Sequence, residues 1–140
     1  MPAHDPAVIR VAQGWIKKAE SDFSNATNEV KRGKKSPSDT VCFHAQQTVE
    51  KYLKAVLVMK GIDFEKTHKI SMLLALLPRN YRPELSKLEQ ETLSDFAVMA
   101  RYPGDYEPIS LADAKKAVAV ARRVRGFIRK YIPAVIPEKP

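Results

Sequence analysis

The 140-residue chain is 44% hydrophobic and 29% charged, the length and composition of one globular domain, which excludes extensive disorder outside the ends. Its single cysteine, Cys42, excludes an intrachain disulfide and a cysteine-pair zinc site. The formal charge of +8 favours anionic partners such as RNA, nucleotides or acidic protein. Met1 to Arg10 holds no apolar run of signal-peptide length, and the longest apolar run, Met72 to Leu77, is far too short to cross a bilayer. The expectation is a cytoplasmic protein with no membrane contact.

No strand-type alternation and no internal repeat is visible. The first helix is expected from about Val8 to Arg32, because Ile9, Ala12, Ile16, Ala19, Phe23, Ala26 and Val30 recur at alternating spacings of three and four. Gly33 ends it. Ser36-Pro37-Ser38-Asp39 reads as a second helix start, with Ser36 as cap and Pro37 in the first helical position. That helix runs to about Lys60 and ends at Gly61, burying Val41, Ala45, Val49, Tyr52, Leu53 and Val56. Thr67 or His68 opens a short third helix that stops before Pro78, with His68 in a capping role. Pro83 opens a fourth, to about Ala100, with Leu85, Leu88, Leu93, Phe96 and Ala97 inward. Pro103, Gly104 and Pro108 make Arg101 to Ile109 a loop. Ser110 caps the last helix, which ends at about Tyr131. Its apolar side is Ala114, Ala117, Val120, Ala121, Val124, Phe127, Ile128 and Tyr131, and its other side is basic. The predicted fold is an all-α up-and-down bundle of four main helices plus a short extra one. It forms one domain over residues 1–140, with a core at about 8–131 and loose termini.

Three segments carry a family resemblance. They are Phe43-His44-Ala45-Gln46-Gln47-Thr48-Val49-Glu50-Lys51-Tyr52-Leu53-Lys54-Ala55, then Thr67-His68-Lys69-Ile70 with Leu73 and Leu74, then Ala100-Arg101-Tyr102-Pro103 with Asp105-Tyr106. Trp15, Ala19, Asp22 and Phe23 fit as well. Together they resemble the HEPN family, nearly end to end. The resemblance implies a helical bundle, usually a homodimer, often encoded beside a small nucleotidyltransferase. Many such proteins are RNases of toxin–antitoxin or defence systems; others have lost the nuclease and bind nucleotides.

The family's nuclease motif is an Arg followed, after four to six residues, by a His. The pair has a chemical logic: the imidazole moves protons near neutral pH and the guanidinium holds the phosphate. Here Arg101 stands at the matching place, but Tyr106, Glu107 and Pro108 occupy the positions where the His belongs. A phenol is protonated near pH 7 and a poor general base. The leading expectation is therefore a nucleotide- or RNA-associated binding module working with a nucleotidyltransferase partner, in a toxin–antitoxin-like pair. Its ligand would meet Arg101, Tyr102, Asp105 and Tyr106, with His44, Gln47 and Lys51 nearby on one face of the second helix. Tyr106 or Tyr102 is the candidate to accept a nucleotidyl group. The alternatives are a metal-independent RNase using Arg101 with Tyr106 or His44 as unusual proton acceptor, and a scaffold dimer without ligand. No metal site and no cofactor is expected; Glu50 and Lys54 are expected to form a surface pair.

Overall fold

The computed structural model describes residues 5–101 and 108–132, with Ala100 and Arg101 by backbone only. The expected looseness of the two termini lies outside the described residues. Five α-helices are present among them, α1 (Pro6–Val30), α2 (Ser38–Met59), α3 (Ile70–Leu76), α4 (Lys87–Arg101) and α5 (Leu111–Tyr131), with 3-10 turns at Gly33–Lys35 and Arg79–Tyr81 and no strand.

The helix ends follow local chemistry. Asp5 caps α1 by accepting the Ala7 amide at 2.8 Å, and Ser110 caps α5 through the Asp113 amide at 3.0 Å, which satisfies amides left over at each helix start. Gly33 and Gly61 take positive φ, 62° and 68°, where a side chain would strain the backbone; each lets the chain leave a helix. Three expected starts move. α3 begins at Ile70 rather than at Thr67 or His68. α2 begins at Ser38 with Pro37 as its flanking residue, and Ser36 makes no cap bond. α4 begins at Lys87 rather than at Pro83, because Ser86 and Glu89 form a reciprocal capping box: the Glu89 amide donates to Ser86 Oγ at 3.0 Å and the Ser86 amide to Glu89 Oε1 at 2.9 Å.

α2 is the spine of the molecule. It packs against each of α1, α3, α4 and α5. It is accordingly buried nearly all round, with Val41, Cys42, Ala45, Val49, Tyr52, Leu53, Val56 and Leu57 at zero exposure. The expected inward residues of α2 are all there. Burial pushes the Cys42 thiol up to about 12, helped by the charges of Asp113 and Asp39; it is a packing residue.

Three core expectations are corrected. On α1 the buried stripe is Ala12, Ile16, Ala19, Asp22 and Ala26, so Asp22 takes a buried place while Phe23 packs only partly buried against the core. Leu88 is 72% exposed. It sits in the first turn of α4, at the lip of an open groove of about 420 Å³ between α4 and α5. Tyr131 is exposed as well, and Val118 takes a buried place on α5 instead.

Candidate functional site

Four polar residues of α2 share one stripe. His44, Gln47, Lys51 and Lys54 are spaced by three, four and three, so they stack along one face of a 3.6-residue helix. Two carboxylates flank that stripe. Asp22 comes from α1, and Glu50 from α2 itself.

The same arrangement is built twice. Asp22 Oδ1 accepts His44 Nδ1 at 2.7 Å, and Asp22 Oδ2 accepts Lys51 Nζ. Glu50 Oε1 accepts His68 Nδ1 at 2.7 Å, and Glu50 Oε2 accepts Lys54 Nζ at 3.0 Å. Each carboxylate thus joins one imidazole and one ammonium. In each cluster the imidazole is the outermost member: His44 is 24% exposed against 11% for Asp22 and 19% for Lys51. His68 is 29% exposed against 3% for Glu50 and 6% for Lys54. An ionised carboxylate only accepts, so both rings carry a proton on Nδ1. That leaves Nε2 as each ring's outward-facing nitrogen, and neither Nε2 has a partner among the described residues.

Gln46 and Gln47 extend the Glu50 cluster. The Gln47 amide donates to Gln46 Oε1 at 2.7 Å, and Gln46 Nε2 donates to Glu50 Oε1 at 2.9 Å. Burial raises the Glu50 carboxyl, but hydrogen bonds from Gln46, His68 and Lys54, with the Lys54 charge, outweigh it and hold the group below its ordinary value. The Lys54 ammonium also lies 5.4 Å from the Trp15 ring centre and 5.8 Å from that of Phe64, which offsets part of its desolvation.

A third carboxylate ties the bundle rather than lining the stripe. Glu20 on α1 accepts Tyr52 Oη at 2.6 Å, Arg129 at 2.7 Å and both-oxygen contacts from Arg125 Nε at 2.9 and 3.0 Å. Burial raises Glu20, but Arg125, Tyr52 and Arg129 prevail and lower it; burial and Glu20 push the Tyr52 phenol up. Every member is matched, and α1, α2 and α5 are cross-linked.

Of the residues expected at the site, His44, Gln47 and Lys51 stand together on α2. Arg101 is the last residue of α4, with its side chain outside the described residues, as are Tyr102, Asp105 and Tyr106. Two expectations are corrected. His68 does not cap α3: Thr67 Oγ1 accepts the Lys69 amide, and the His68 ring is committed to Glu50. Glu50 and Lys54 do pair, but inside the protein, because the segment carrying Phe64 and His68 covers them. The sequence signal for Asp22 was a charged residue seven before Glu29 and three after Ala19, in register with the apolar stripe. Among the described residues no group of three or more His, Cys, Asp or Glu is placed to hold a metal ion, and no helix is long and apolar enough to cross a membrane.

Comparison with known proteins decides the family. The HEPN domain model matches residues 12–131. The chain belongs to the HEPN family. It is similar to the Methanocaldococcus jannaschii protein named "Putative toxin MJ1304", at 30% identity over 89% of this chain and 90% of that one. It is also similar to the crystal structure of ST0689, an archaeal HEPN homologue, with a TM-score of 0.65 and 27% identity over 85% of this chain and 95% of that one. The fold, five helices and no strand among the described residues, is thus a HEPN fold, and the chain is related to a protein named as a toxin.

Proposed function

We propose that this HEPN protein is a nucleotide- or RNA-associated binding module that forms a homodimer and pairs with a small nucleotidyltransferase in a toxin–antitoxin-like unit. The observation that carries the reading is the partly exposed His44 and Lys51 pair, held on α2 by Asp22, in a chain 30% identical to a protein named as a toxin. A fixed imidazole and ammonium on one helix face suit an anionic ligand. Arg101, Tyr102, Asp105 and Tyr106 complete the proposed cleft, and Tyr106 or Tyr102 is the acceptor for a nucleotidyl group from the partner. The test has two arms. Co-expression with a nucleotidyltransferase from the adjoining reading frame yields a co-eluting complex, and its nucleotide substrate adds mass to the chain that disappears in Tyr106→Phe or Tyr102→Phe. RNA binding by the free protein weakens with salt. Absence of both a complex and RNA binding overturns the reading.

One observation favours a second reading, a metal-independent RNase. The Nε2 atom of His44 is positioned as an acceptor by the Asp22 bond at 2.7 Å, the requirement for taking a proton from a ribose 2′-OH. RNA cleavage in EDTA that vanishes in Arg101→Ala and in His44→Ala is its expected sign; intact RNA across substrates removes it.

A further inference from the structure

We propose that the outward face of α1 around Gly14 is a docking surface for an acidic amphipathic helix of a partner protein. The helix seats an aliphatic side chain beside Gly14 and sets its carboxylates against Arg10, Lys17 and Lys18. This surface lies apart from the α2 stripe and does not depend on the ligand reading of it.

The inner side of α1 packs on α2 and α5, where Ala12, Ile16 and Ala19 are fully buried. On the outer side Val11, Gly14, Trp15 and Lys18 surround a notch of about 210 Å³. Val11 is 54% exposed, so the notch has an apolar wall open to solvent. Gly14 is the small residue beside it. A glycine inside a helix weakens it relative to alanine. Nothing within the chain asks for one here: its φ is not positive, and a Cβ would meet no atom within 4 Å. The missing side chain instead lets a backbone from outside come close.

Charge identifies the occupant. From Pro6 to Ala19, α1 holds no carboxylate. Arg10, Lys17 and Lys18 are exposed on the same side and make no ion pair among the described residues. Asp63 and Glu65 flank Phe64 in sequence, on the segment whose ring shares Lys54 with Trp15, and neither pairs with these cations. A second copy of α1 would set cation against cation, which opposes self-docking. A nucleic acid would need an open aromatic ring for stacking, whereas the Lys18 and Lys54 ammoniums already lie over Trp15 at 6.0 and 5.4 Å. An acidic helix answers the cations and fills the notch together. Arg10 and Lys17 stand seven residues apart, about 10 Å along the axis, which matches two glutamates seven apart on the docked helix.

Trp15 is the one tryptophan of the chain, so its fluorescence reports on the notch. The experiment titrates the full chain with a helical peptide carrying Glu at i and i+7 and Leu at i+3 and i+4. Control peptides replace the glutamates by Gln or the leucines by Ser. The expected result is a saturable shift of Trp15 emission with the Glu–Leu peptide, and binding about tenfold weaker with either control. Its affinity falls as salt screens the charges. Gly14→Leu fills the notch and weakens binding about tenfold, with the melting temperature kept or raised because leucine is the better helix former. Lys17→Glu combined with Lys18→Glu weakens it through charge alone. Unchanged binding in Gly14→Leu, or emission unmoved by the Glu–Leu peptide, overturns the proposal. A short RNA oligomer that shifts Trp15 at lower concentration than the peptide overturns it in favour of nucleic acid. Dimerisation that Gly14→Leu abolishes gives the face to a second copy and overturns it equally. Each of these outcomes leaves the α2 reading standing.

Discussion

The Asp22 and Glu50 clusters share one donor set and differ in depth. In each, a carboxylate takes an imidazole Nδ1 on one oxygen and a lysine on the other. Asp22 is itself buried but bridges two helices with partners, His44 and Lys51, that reach solvent; Glu50 lies under the segment that bears Phe64 and His68 and gains a third donor from Gln46. Burial makes an ionic group costly to strand, because the partner left behind has no water to turn to. The same chemistry should thus act as an internal strut at Glu50 and as an adjustable surface at Asp22.

Four experiments break or sharpen that contrast. Glu50→Ala has the largest expected effect, a loss of about 3–5 kcal/mol of stability by urea unfolding, because Lys54 is left buried without its counter-charge. A loss under about 1 kcal/mol, the range of exposed pairs, would show the strut to be dispensable. Asp22→Ala should cost less, about 1–3 kcal/mol, since His44 and Lys51 regain water. A cost equal to that of Glu50→Ala would erase the distinction. Acid titration comes next. The Glu50 and Glu20 carboxyls are held below their ordinary value of 4.5, so the folded state gives up these protons more readily than the unfolded state. Their stabilisation is complete above the unfolded value, and it is lost as pH falls through their lower folded values. Stability followed from pH 7 downward should stay level from this source until about pH 5 and then fall, and Glu50→Gln should flatten that limb. The smallest effect belongs to Arg123→Ala, which removes a 2.7 Å ion pair to Glu89 at the surface. The change should stay within about 0.5 kcal/mol by thermal unfolding. Glu89 keeps its capping bond to the Ser86 amide.

Much of the bundle was legible because its determinants are local. Gly33, Gly61 and Ser110 act within one turn of themselves, and α5 ends at Tyr131 as expected. The inward face of α2 followed from spacing alone. Leu88 misled, because its place depends on the Ser86–Glu89 box that sets where α4 starts. Asp22 and Glu50 were hidden for a related reason. A charge in an apolar stripe, or a Glu–Lys pair four apart, reads as solvent-facing until a distant segment is known to cover it. His68 could not be assigned to Glu50 from its neighbours, since the bond joins residues eighteen apart. The cleft residues Arg101, Tyr102, Asp105 and Tyr106 rest on the family pattern and lie outside the described side chains.

Cys42 turns the central helix into its own reporter. The thiol has no exposure, and burial pushes its pKa up to about 12, so the reactive thiolate is scarce near neutral pH. Alkylation must wait for α2 to come away from its neighbours. The labelling rate of this one sulfur therefore clocks the opening of the spine, with no engineered probe.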